Sequence, residues 1–92
     1  MYNRFAKIRH RYLREYRNGI YTGMFLDGKL EDHLKEIGEA AEEMFDRLVE
    51  QMKKAEGVTE KLKVENQMEW VGRMNSIRSR AEKTVINDLI YN

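Results

Sequence analysis

Gly57-Val-Thr-Glu-Lys-Leu-Lys-Val-Glu-Asn66-Gln-Met-Glu-Trp70-Val-Gly-Arg-Met74-Asn-Ser-Ile77-Arg-Ser-Arg-Ala81-Glu-Lys-Thr-Val85-Ile-Asn-Asp-Leu89-Ile-Tyr-Asn92 is the stretch that decides how this chain folds. Glycine adopts the left-handed conformation that closes a helix, so Gly57 predicts a stop. Val58 then acts as an apolar staple, Thr59 as an N-cap, and Glu60 falls in the first turn of the next helix. From there Trp70, Met74, Ile77, Ala81, Val85 and Leu89 recur at helical spacing, with Glu65, Glu69, Arg73, Arg80 and Lys83 opposite. One continuous helix over 59–90 is the expectation. A link this short turns it back on the helix before it, as an αα-hairpin.

That preceding helix has the cleanest pattern in the chain. Leu30, Leu34, Ile37, Ala41, Met44, Phe45, Leu48, Met52 and Ala55 share one face, and charged side chains fill the other. The spacing predicts a helix over 29–56, about 40 Å long at 1.5 Å per residue. Asp27-Gly28 punctuates the chain before it. Further upstream, Phe5, Ile8, Tyr12 and Tyr16 share a face with Leu13 at its edge. Lys7, His10, Arg11, Arg14 and Arg17 lie opposite, so an amphipathic helix over 3–17 is expected. Continued further, that helix would place Tyr21 and Phe25 on its basic face. Asn18-Gly19 therefore reads as a break, with a short helix or turn over 19–27.

Ninety-two residues without proline suit one small helical domain. The fold class is all-α: an antiparallel helical bundle of two long helices, a basic N-terminal helix and a short connecting helix. Open apolar edges at Val49, Ile86, Ile90 and Tyr91 point to a homodimer. The absence of cysteine excludes disulfides and thiolate metal sites and fits a reducing cytoplasm, where the chain is expected to act. No apolar run reaches the length of a membrane span, and the start lacks a signal-peptide pattern, so no membrane association is expected.

A net charge of +1 conceals an asymmetry. Residues 1–18 hold six Lys/Arg against the single Glu15, and the remaining chain holds 11 Lys/Arg against 15 Asp/Glu. The basic helix suits nucleic acid, an acidic partner, or docking onto the chain's own acidic body. Lys7, Arg11, Arg14 and Arg17 are the candidate phosphate contacts. The competing reading is a solvated or self-docked face, and the pI of about 8.0 is below that of a dedicated nucleic-acid domain. Tyr12 and Tyr16 could stack on bases, but they fall on the apolar side of the wheel, which favours a core role.

Gln67 and Arg78 interrupt the stripe of the last helix, eleven residues apart and so on one line. They are candidates for a buried polar clasp to Glu15 or to a glutamate of the middle helix. Recognition of a partner's carboxylate or phosphate, or exposure through a bent or shifted helix, are the alternatives. His10 and His33 match no metal-ligand spacing, so no metal and no cofactor is expected. The abundant carboxylates map to solvent faces, which offer no burial to separate their pKa values, and no catalytic residues are assigned. The glycines form no phosphate-cradling loop, and the methionines read as core filler. The chain is not expected to be an enzyme.

Three longer segments carry a resemblance. Glu42-Glu-Met-Phe-Asp-Arg-Leu-Val-Glu-Gln-Met52, the run from Ala55 to Glu82, and Asn87-Asp-Leu-Ile-Tyr91 are similar to the transposon-encoded TnpV family. Arg9-His-Arg-Tyr-Leu-Arg14 and Gly28-Lys-Leu30 are similar too. The family pattern carries an aromatic, loop- or strand-like segment ahead of the basic helix, where this sequence starts almost at the helix. The resemblance implies a small accessory protein of a mobile genetic element of Firmicutes-type bacteria, in a family likened to excisionases. It transfers no functional residues. The expected function is thus a non-enzymatic, DNA-associated accessory of excision or transfer. The alternative is a protein-interaction module or inhibitor acting on a host or element-encoded protein, with the acidic middle helix as a contact surface.

Overall fold

Local capping chemistry sets most of the element boundaries in the computed structural model, which describes residues 2–92. The Asn3 side chain accepts from the Ala6 N–H at 2.9 Å and starts α1 (Arg4–Tyr16). Arg17 leaves helical geometry at φ −132° and ψ 50°, and α2 (Asn18–Leu26) follows at once. The expected break therefore falls one residue early, with Asn18 and Gly19 inside the first turn of α2. Gly28 takes the left-handed φ of 71°, and the Lys29 N–H closes back on the Met24 carbonyl at 2.9 Å. Next comes α3 (Leu30–Glu56), with Glu31 and Asp32 in its first turn and Lys53 and Lys54 in its last. Both pairs complement the helix dipole.

The hairpin forms as the sequence predicts, with one correction. Gly57 adopts φ 67°, Val58 is buried against the core, and the Thr59 hydroxyl accepts from the Leu62 N–H at 3.2 Å. The expected single helix over 59–90 is instead interrupted at Asn66, which separates α4 (Glu60–Glu65) from α5 (Gln67–Val85). Asn66 has φ −149° and ψ 83°, and its side chain accepts from the Glu69 N–H at 3.2 Å. Asparagine hydrogen-bonds the backbone ahead of it as readily as it continues a helix, and here the new cap wins. The last turn, Ile86–Ile90, widens to a π-helix, with the Tyr91 N–H donating to the Ile86 carbonyl at 3.0 Å.

Helices α3 and α5 run antiparallel, joined at the hairpin by Arg80 and Glu56, and α1 lies antiparallel on α3, with Asn3 at Gly38 and Leu13 near Leu30. The molecule is elongated, 55 × 20 × 19 Å. Its main core joins Phe5 of α1, Ala41, Phe45 and Val49 of α3, Val58, and Met74, Ile77, Ala81 and Val85 of α5, with Ile90 of the π turn. A smaller cluster of Ala6, Leu13, Leu30 and Leu34 seats α1 on the start of α3, and Tyr21 and Met24 of α2 pack against it. Close approach of α1 to α3 depends on Gly38. A Cβ there would meet the Asn3 Oδ1 at 2.8 Å and the Ala6 Cβ at 3.0 Å. Through that gap the Asn3 amide donates to the Gly38 carbonyl at 2.8 Å.

Several expected edges are differently covered. Val49 and Ile90 are buried and Ile86 is half-buried, so of the four residues expected on an open edge only Tyr91 is exposed. Apolar exposure falls elsewhere: on Ile20, Phe25 and Leu26 of α2, and on Val64, Met68 and Val71 around the Asn66 break. No helix among the described residues is long and apolar enough to cross a membrane.

Candidate nucleic-acid interface

Helix α1 carries two kinds of cation, and their surroundings separate them. Arg4 packs over the Phe5 and Phe45 rings at 4.6 and 4.3 Å and approaches Glu42 and Glu82 at 3.9 and 3.7 Å. It ties α1 to α3 and α5. Arg9 is only 8% exposed. Its guanidinium donates to the Ile90 carbonyl at 2.6 Å, to the Asn92 carbonyl at 3.3 Å and to His33 Nε2 at 3.3 Å. Among the described residues no Asp or Glu side chain pairs with it. The carbonyls at the end of a helix carry partial negative charge, and they serve in its place.

This buried arginine is the polar group that sequence reasoning placed elsewhere. Gln67 and Arg78 are both solvent-exposed, Gln67 in the first turn of α5 and Arg78 beside the open groove of Phe45, Asp46 and Met74. The expected clasp is therefore corrected to Arg9. Both lie in α5 and keep a common line, but that line faces solvent, beside the buried stripe of Met74, Ile77, Ala81 and Val85. A signal for Arg9 exists in the sequence: it lies four residues after Phe5 and four before Leu13, within the apolar stripe. Burial lowers the Arg9 pKa from its ordinary value. Burial, then the adjacent Arg9 charge, lowers that of His33, which stays neutral and accepts the Arg9 hydrogen bond.

Lys7, Arg11 and Arg14 are the other kind. All three are exposed, and none makes an ion pair among the described residues. Spaced i, i+4 and i+7, they line one open groove with Ile8 and His10. Arg17, the fourth candidate, lies outside this row. It stands at the helix end, and its Nε is 3.3 Å from the Tyr12 hydroxyl.

Tyr12 packs against the Leu13–Leu34 cluster, in line with the expected core role, and Tyr16 departs from that role. Tyr12 is half-buried, and Tyr16 is 72% exposed. Tyr12 lies between Tyr16, 5.8 Å away at 33°, and Tyr91 of the C-terminal segment, 5.1 Å away at 35°. Arg9 approaches the Tyr12 ring at 5.7 Å. With Ile8, Arg11 and Glu15 the three rings line a cleft of about 210 Å³. Arg11 and Ile8 belong to both this cleft and the cationic groove. Tyr91 could not be placed here from the sequence, since only the fold brings it to α1.

Among the described residues no group of three or more His, Cys, Asp or Glu could hold a metal ion. A family model described as transposon-encoded protein TnpV matches residues 1–90. No curated protein and no solved structure matches the chain. With nearly its whole length matched, the chain belongs to the TnpV family.

Proposed function

We propose that this member of the TnpV family is a non-enzymatic, cytoplasmic accessory protein of its mobile element that associates with DNA and assists excision or transfer. The observation that supports this reading is the division of labour on α1. Arg4 and Arg9 are engaged with the chain's own body, and Lys7, Arg11 and Arg14 are left exposed in a row. Exposed, unneutralised cations in line are what a phosphate backbone binds, through release of its condensed counterions. Self-docking, the competing account of a basic face, is satisfied by Arg4 and Arg9 and does not use the other three.

A salt series of DNA binding by fluorescence anisotropy tests it. Binding is expected at low salt, with affinity falling steeply as salt rises. Arg11→Ala with Arg14→Ala is expected to weaken binding across all sequences and to lower the salt slope by about one per lost contact. No binding at low salt, or unchanged binding by the double variant, overturns the reading.

One observation favours a second reading, a protein-interaction module or inhibitor. Ile20, Phe25 and Leu26 are exposed on α2, which has no buried residue, and Val64, Met68 and Val71 are exposed around the Asn66 break at the other end. Contiguous exposed apolar surface marks an interface more often than chance. On this reading the partner covers one of these patches and the acidic face of α3 flanks it. A homodimer through Val64, Met68 and Val71 is the simplest version. Sedimentation of the pure protein tests that version, and Met68→Glu is expected to abolish any dimer seen.

A further inference from the structure

The cationic groove and the tyrosine cleft share the wall made by Ile8 and Arg11, so a ligand in one is led directly into the other. We infer that the nucleic acid this chain takes is single-stranded, its phosphates on Lys7, Arg11 and Arg14 and its unstacked bases on Tyr16, Tyr12 and Tyr91. This rests on the nucleic-acid reading above and narrows it.

Three observations carry the inference. First, Tyr16 stands 72% exposed and Tyr91 49% exposed, so each presents an open ring face to solvent. Core packing does not account for rings left this open. Second, the rings form a continuous series with Tyr12 between them, at centroid separations of 5.8 and 5.1 Å. Arg17 is held to the Tyr12 hydroxyl at 3.3 Å, which brings a guanidinium to the border of the series. Alternating aromatic faces and guanidinium groups beside a cationic track are the parts from which sequence-tolerant single-strand sites are built. Third, Glu15 lies in the same cleft. A carboxylate repels phosphate, so the backbone is confined to the Lys7 side. The same oxygen can accept from an amino group on a base edge.

A duplex cannot use this arrangement. Its bases are stacked on one another and reach a protein only by their edges, so exposed ring faces gain nothing from it. From Lys7 to Arg14 the row extends about 10 Å along the helix axis, enough for two or three successive phosphates. Stacking of every base is possible because every base has a π-face, which predicts weak sequence preference.

The test uses the full chain and three fluorescently labelled probes of one sequence and length: single-stranded DNA, single-stranded RNA and duplex DNA. Single strands are expected to bind at least about tenfold more tightly than the duplex at the same salt. Tyr16→Ala is expected to weaken single-strand binding about tenfold, to leave duplex binding and the salt slope unchanged, and to be rescued by Tyr16→Phe. Tyr16 is exposed in a helix, so alanine there does not threaten folding. Tyr91→Ala, checked by its melting curve, is expected to act in the same direction. Equal affinity for duplex and single strand, with Tyr16→Ala silent, overturns the single-strand inference and leaves the DNA reading standing. Binding of RNA alone supports the stacking site and overturns the DNA reading. Absence of binding to all three probes at low salt overturns both.

Discussion

The two ends of this molecule are closed in opposite ways. At the hairpin end, between α3 and α5, the turns are closed chiefly by neighbours in sequence: Gly57 by its left-handed φ, Thr59 by the Leu62 N–H, Asn66 by the Glu69 N–H, with Arg73 adding a hydrogen bond to the Glu56 carbonyl at 3.3 Å. Beyond Val58, which is buried, apolar side chains there are left open, Met68 and Val64 at 87% and 85% exposed. At the other end the Tyr91 N–H closes the π turn of Ile86–Ile90, but the Ile90 carbonyl is satisfied from a distance, by Arg9 reaching out of α1 with His33 behind it. The hairpin end is assembled from small local terms. The α1 end depends on one buried charge and the carbonyls it satisfies. Each kind of closure should fail in its own way.

The sharpest way to break the contrast is Arg9→Ala. It leaves the Ile90 carbonyl buried without its donor and removes a charged hydrogen bond, an expected loss of about 2–3 kcal/mol in chemical denaturation. Arg9→Lys keeps the charge but not the forked geometry, and should recover only part of it. Next comes Gly38→Ala. Alanine favours a helix interior by up to about 1 kcal/mol, yet here its Cβ would collide with Asn3 and Ala6. Net destabilisation of about 1–2 kcal/mol is expected, with weakened hydrogen-exchange protection confined to α1. At the hairpin end, Asn66→Ala should cost about 1 kcal/mol or less, because losing the cap is offset by helix continuity from α4 into α5. Circular dichroism should then show more helix, not less.

A smaller effect distinguishes the ends by pH. Folded His33 has its pKa below the ordinary 6.5, so the unfolded chain binds that proton more readily. Stability is therefore full above about pH 6.5 and falls as pH drops below it toward the folded value. Protonation also removes the acceptor that Arg9 uses. Melting temperature should decline over this window, and His33→Gln should flatten the decline. Hairpin caps contain no group that titrates there. Smallest of all, Gln67→Ala and Arg78→Ala should each stay within about 0.5 kcal/mol, since both side chains are exposed.

The same contrast explains what could be read in the sequence. Stops and caps are legible because a few adjacent residues decide them, as at Gly57, Val58 and Thr59. The stripes of α3 and α5 are legible because burial repeats at the helical period: Leu34, Ala41, Phe45, Ile77, Ala81 and Val85 all fall inside. Asn66 was harder, since asparagine is tolerated in a helix and only competition between two local hydrogen-bonding schemes decides its state. Arg9 carried a positional signal, but in the sequence it counts only toward the charge of the basic N-terminal segment. The partner that permits its burial is 81 residues away. Tyr16 fails for the same reason in reverse: its stripe position predicts burial, but the helix outruns the surface beneath it.

That long separation has a consequence for the order of events. Helices α3 and α5 are joined by a short link and can pair as soon as both exist. The seat of α1 is completed only when Ile90 supplies its carbonyl, so during synthesis α1 must wait for a residue made 81 positions after Arg9. Until then the Arg9 guanidinium and the apolar face of Phe5 and Leu13 have no complete shelter. The nascent chain thus passes through a stage in which α1 is detachable, and the last turn acts as the latch that ends it.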